Sequence, residues 1–290
     1  MQTRQFLVEP GLSLTGEVGG PPGAPCVILL HGGGQTRFSW AGAGRRLVEG
    51  GYRVVNFDAR GHGESDWAGP GGYSLGDHAA DLRTVVEEVG GPVALVGASL
   101  GGATALRALA EGMRPSAVVL VDIVPNPDPR GIRRVRDFMQ ARPDGFASLD
   151  EAADAIAAYN PHRPRPADVS GLRNNLRERR DGRFHWHWDP AFLERDIETS
   201  VAELAATIEG ARVAADIPVM LVRGGDSDVV SDEGVRILRD VLPDLEVREI
   251  AAAGHMVAGD RNDAFNAATL DFLGRHFPPD VSSSEGETRQ

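Results

Sequence analysis

The serine of Gly97-Ala98-Ser99-Leu100-Gly101 is the residue of this chain best placed for covalent chemistry. An apolar run, Pro92-Val93-Ala94-Leu95-Val96, precedes it, and residues 102–111 after it read as a helix. On a tight strand-to-helix turn a serine hydroxyl is exposed, and flanking glycines remove side chains that would clash with strand and helix. A serine hydroxyl is a weak nucleophile until a base takes its proton, and the base is best a histidine oriented by a carboxylate. His255, in Ala253-Gly254-His255-Met256, is the candidate base. The segment Arg223-Gly224-Gly225-Asp226-Ser227-Asp228 offers the carboxylate. Asp228 is favoured, since it stands three residues after Gly225 and just before the apolar pair Val229-Val230. Asp226, able to cap the turn, and Asp122, at the end of the apolar run Ala117–Val121, are the alternatives. Acyl transfer also needs two backbone donors for the oxyanion. The amide of Leu100 is one, and the loop His31-Gly32-Gly33-Gly34-Gln35 supplies the other, best from Gly33.

Those residues must be positioned by a scaffold. Apolar β-like runs occur at Cys26–Leu30, Arg53–Phe57, 93–96, Ala117–Val121 and 219–222, and a more alternating sixth run at 245–250 suits an edge. Helical patterns at 40–49, Leu75–Val89 and 102–111 lie between the early runs, and another covers 262–272. Strand alternating with helix predicts an α/β fold, with a mostly parallel sheet and helices on both faces. Its site lies at the carboxyl ends of the strands, where each motif above falls. The alternation stops between about 125 and 215. There, helical patterns at 131–141, Leu149–Tyr159, 169–180 and 192–214 and a Pro-rich joint at 161–166 predict a helical cap. The expected organisation is a core of residues 1–124 and 216–279, a cap of 125–215 and a disordered polar tail of 280–290.

Composition excludes several classes of function. The net charge of −12 gives no basic field for nucleic acid. The thirty basic residues are all arginine, as expected of a GC-rich coding sequence. The single cysteine, Cys26, allows no internal disulfide. No basic-then-apolar leader is visible at the start, and no apolar run reaches the length of a membrane span, so a cytoplasmic location without membrane contact is expected. A second glycine-rich loop, residues 58–65, lacks the spacing of phosphate-binding motifs.

Together, His31-Gly32-Gly33-Gly34, Arg60-Gly61-His62-Gly63-Glu64-Ser65, the pentapeptide at Ser99, the Gly224–Asp228 segment and Gly254-His255 resemble the α/β-hydrolase superfamily over roughly residues 20–278. The order Ser99, Asp228, His255 is that superfamily's order. Some related enzymes place their acid after the strand equivalent to 117–121. Within the superfamily the chain is similar to single-cap esterases, lactonases, C–C hydrolases and cofactor-free haloperoxidases. The resemblance implies an acyl-enzyme on Ser99, later released by water, with no metal and no organic cofactor. Ester or lactone cleavage is the expected reaction. C–C hydrolysis of a diketone-like substrate and a non-catalytic ligand-binding role are the alternatives.

The cap is expected to set specificity for a small-molecule substrate. Residues 130–183 hold twelve arginines against eight Asp and Glu, which fits either an anion-attracting lid or solvated helix faces. Phe184-His185-Trp186-His187-Trp188 is the sharper feature. If extended, it puts His185 and His187 on one side and Trp186 and Trp188 on the other. Its tryptophans suit an aromatic substrate or anchor the cap. The H-x-H pair lacks a third ligand in view, so no metal is expected. Trp40, Phe138 and Met256 are further pocket candidates, with Met139 beside Phe138.

Overall fold

The structure is a computed structural model, and it describes residues 1–160, 165–251, 253–254 and 262–279. The proposed base His255, the neighbouring Met256 and the tail 280–290 lie outside the described residues.

Eight strands form one sheet: β1 (Gln2–Glu9), β2 (Leu12–Gly19), β3 (Cys26–Leu30), β4 (Arg53–Phe57), β5 (Val93–Ala98), β6 (Ala117–Val121), β9 (Val219–Gly224) and β10 (Glu246–Ile250). Their spatial order is β1-β2-β4-β3-β5-β6-β9-β10. From β4 to β10 every pairing is parallel, and β2 joins β1 and β4 antiparallel. All five residues of β3 and of β6 are buried. That is the pattern of strands covered on both faces, and it explains why they read as unbroken apolar runs. β10 stands at the edge, as its alternating pattern predicts.

Helices α2 (Leu75–Val89), α3 (Leu100–Ala110), α6 (Ile197–Gly210) and α7 (Asp232–Val241) cover one face through Leu82, Leu106, Ile208 and Leu238. Helix α1 (Ala41–Glu49) and the C-terminal helix α8 (Asn262–His276) cover the other through Leu47, Phe265 and Phe272. The N-terminal hairpin β1–β2 carries no sequence signal of the kind that marks the other strands. In β1 only Phe6 is buried, so there is no apolar run to see.

The insertion between β6 and β9 holds α4 (Pro129–Gln140), α5 (Leu149–Tyr159) and the antiparallel hairpin β7 (Leu176–Glu178) and β8 (Phe184–Trp186). Its own core comprises Met139, Phe146, Ala152, Leu176, Trp186 and Trp188. Two expectations change here. Residues 169–180 are not one helix: a short 3-10 turn at Ser170–Asn174 leads into β7. The cap core also closes near Leu193 rather than at 215, because α6 carries Ile208 into the main core beneath the sheet.

Candidate active site

Five of the loops after parallel strands are gathered at one end of the sheet, and β5 is central among them. Ser99 follows β5 with φ 47° and ψ −111°, and α3 begins at the next residue. L-residues rarely adopt that backbone, and such strain persists only where the surroundings impose it. Here they do so through close packing. A Cβ on Gly97 would lie 2.4 Å from the Gly101 carbonyl oxygen, and one on Gly101 would lie 2.2 Å from that of Leu30. Gly101→Ala is therefore expected to destabilise the fold by about 3 kcal/mol, as overpacking against immovable backbone does. A thermal melt showing an unchanged Tm would refute this.

The amide of Leu100 opens α3 and is one of the N–H groups a helix start leaves without an intrahelical acceptor. In the loop after β3, the amide of Gly32 donates to the Gln35 side-chain oxygen at 3.0 Å, and that of Gly34 to His62 Nε2 at 3.1 Å. Gly33, between them, has no acceptor for its N–H among the described residues. The amides of Gly33 and Leu100 thus have no hydrogen-bond acceptor among the described residues. A Cβ on Gly33 would stand 3.4 Å from Phe192, and one on Gly34 would stand 3.0 Å from Met139 and 3.5 Å from Trp188. The cap roofs the loop with apolar side chains, of which Phe192 has no sequence signal.

The carboxylates differ sharply in setting. Asp228 is exposed and paired with Arg134 of α4 at 2.7 Å, and Asp226 is exposed too. Asp122 is 1% exposed. It follows β6, whose Val121 accepts a hydrogen bond from the Ser99 amide at 3.0 Å. It accepts from the Gly224 amide at 3.1 Å and from Ser227 Oγ at 2.6 Å. Its φ is 51°, and among described non-glycine residues only Ser99 and Asp122 have positive φ. The residues leading to His255 come close: a Cβ on Gly224 would lie 2.4 Å from the carbonyl oxygens of Ala253 and Gly254.

The other candidates separate into walls and core. Trp188 faces the loop after β3 and stacks on Trp186 with ring centres 4.8 Å apart. Trp186 also packs edge-on against Phe146 inside the cap. Phe138 stacks on Tyr159 at 4.2 Å. Trp40 is no pocket residue: it is 1% exposed in the core beneath α1 and packs on Phe265. The cap arginines mostly lace the cap itself. Arg165 pairs with Asp150 and Asp154, Arg183 donates to the Asp144 and Gly145 carbonyls, and Arg136 to those of Leu193 and Arg195. Among the described residues no helix is long and apolar enough to cross a membrane.

Comparison with known proteins agrees with this fold. A family model described as alpha/beta hydrolase fold matches residues 25–261. The esterase Rv0045c of Mycobacterium tuberculosis is 32% identical over 249 residues, covering 82% of this chain and 79% of that protein. A putative carbamate hydrolase, RutD, of Variovorax paradoxus is 28% identical over 91% of this chain and 97% of its own length. The crystal structure of E-2-(acetamidomethylene)succinate hydrolase superposes with a TM-score of 0.80 at 22% identity, covering 93% and 98% of the two chains, a likeness of fold.

Proposed function

The chain belongs to the alpha/beta hydrolase fold family and is a hydrolase, and from that premise we propose that it cleaves carboxylic esters through an acyl-enzyme on Ser99. The observation that carries this reading is Ser99 at the strained turn between β5 and α3, beside two uncommitted amides. In this mechanism His255 takes the proton of Ser99 as its oxygen attacks the ester carbonyl, and returns it to the leaving alcohol. The oxyanion is held by Gly33 and Leu100. Water, activated by the same histidine, then releases the acid and frees the serine.

We assign the orienting carboxylate to Asp122 in place of Asp228. A triad acid is buried and fixed by hydrogen bonds, because it must hold one tautomer of the base and offset the imidazolium charge. Asp122 meets both requirements, whereas Asp228 spends its charge on Arg134. Phe192, Met139 and Trp188 against the loop favour an uncharged, apolar substituent next to the scissile carbonyl. The similarity to an esterase over most of its length supports an ester over a lactone or a C–C bond.

The test is intact mass after a fluorophosphonate, together with turnover of p-nitrophenyl esters from acetate to octanoate. One adduct on Ser99, with loss of turnover in proportion, is the expected result. Turnover that survives complete labelling would overturn the reading.

A further inference from the structure

Three buried histidines run in a row behind the oxyanion loop. His31 and His62 have ring centres 5.3 Å apart, and His62 and His187 5.8 Å apart. They are 2%, 0% and 1% exposed. His31 and His62 come from the main body, in the loops after β3 and β4. His187 follows β8 and belongs to the cap. No part of the ester mechanism above uses it.

Each ring holds the loop at a different peptide group. His31 Nδ1 donates to the Gly32 carbonyl at 2.8 Å, while its Nε2 accepts from the Ala59 amide at 2.9 Å. His62 Nε2 accepts from the Gly34 amide at 3.1 Å, while its Nδ1 donates to the Arg60 carbonyl at 3.0 Å. His187 Nδ1 accepts from the Gly63 amide at 2.7 Å. An accepting Nδ1 leaves the proton on Nε2, which donates to the Gly34 carbonyl at 3.4 Å. Three successive peptide groups, 32–33, 33–34 and 34–35, are therefore each held by one imidazole.

The need for three holds follows from the sequence. Gly32-Gly33-Gly34 has no side chain to restrict its torsions, and Gly34 sits at φ +73°. An N–H that stabilises an oxyanion works only if its direction is fixed before the charge develops. Two holds come from the body of the enzyme, and the third arrives with the cap. We propose that His187 is a positioning residue that completes the oxyanion loop, so that the hole is fully set only when the cap is seated. This rests on the assignment of Gly33 to the oxyanion hole. It makes the cap part of the catalytic geometry as well as a roof over substrate.

The test compares His187→Ala, His187→Asn and His187→Gln with the parent. Asn presents an oxygen near the place of Nδ1 and keeps only the bond from Gly63. Gln reaches the place of Nε2 and keeps a donor for Gly34. Loss of the hold is expected to lower kcat roughly 10- to 100-fold in the Ala and Asn variants, the scale of a displacement near 1 Å. KM should stay within about twofold, amide exchange at Gly34 should quicken, and Gln should recover most of kcat. Should the Ala variant not fold, Asn against Gln carries the comparison. A higher KM at unchanged kcat, or recovery by Asn equal to that by Gln, would overturn the proposal and reduce His187 to a cap anchor. The exchange measurement needs no substrate. If the parent turns over no ester, the hydrolase reading fails on its own, and unchanged Gly34 exchange in the Ala and Asn variants still sinks the clasp.

Discussion

Asp122→Asn is expected to lower kcat for ester hydrolysis about 10⁴-fold, while Asp228→Asn stays within about threefold of the parent. The size of the first effect comes from what the carboxylate does in a triad. It accepts from one ring nitrogen of the base, so that the other is free to take the serine proton, and it offsets the positive charge that follows. An amide in its place donates as well as accepts, and selects the wrong tautomer. Asp122 has the setting such a carboxylate requires. It is buried, it is anchored by Gly224 and Ser227, and it lies one residue beyond the carbonyl that holds the Ser99 amide. Asp228 forms a half-exposed pair with Arg134, worth at most about 1 kcal/mol. The measurement is kcat and KM of both variants on one ester, with folding checked by circular dichroism. A severe Asp228→Asn beside a mild Asp122→Asn would return the role to Asp228.

Sequence favours Asp228 for a physical reason. The spacing after Gly225 is visible in one dimension, whereas the exposure of a side chain is not. The signal for Asp122 is its backbone, forced to φ 51° where β6 ends beside Ser99, and torsions are not written in residue types. The elements that place Ser99 are legible for the opposite reason. β3, β5 and β6 are buried on both faces, so their positions need no register or partner to be seen. The cap is less so. Residues 169–180 look helical, yet Leu176 pairs with Trp186 across the hairpin, a long-range choice that local propensity does not record. The aromatic string around His187 is conspicuous in sequence. Its tryptophans stand out as pocket walls, while the histidine between them bonds Gly63 and Gly34, because alternation turns it to the opposite side.

Stability is expected to fall steeply once pH drops below about 6.5, well above the range in which carboxylates titrate. Burial, the main cause in each case, lowers His31 to about 4 and His62 to about 3, and sets His78 and His187 well below 6.5. The sign follows from proton counts. In the unfolded chain each imidazole binds a proton near pH 6.5, but in the folded protein only at far lower pH. Between those limits the unfolded state holds more protons, so acid favours it. The stability from keeping these rings neutral is complete above pH 6.5 and is lost as pH falls through each folded value. Each ring contributes a slope of about 1.4 kcal/mol per pH unit, and four together about 5 kcal/mol per unit at most. A native stability of about 5–15 kcal/mol would be consumed within roughly one to three units. Asp58 and Asp81, raised by burial, act in the opposite direction, but only once carboxylates begin to protonate. Urea midpoints measured from pH 7.5 to 4.5 should therefore decline from about pH 6.5 downward. His78→Gln should remove one proton's share of that slope, since it deletes one of the four rings without touching the three behind the oxyanion loop. A midpoint that stays level down to pH 5 would mean that these histidines are solvated, and that the packed row behind the oxyanion loop does not form.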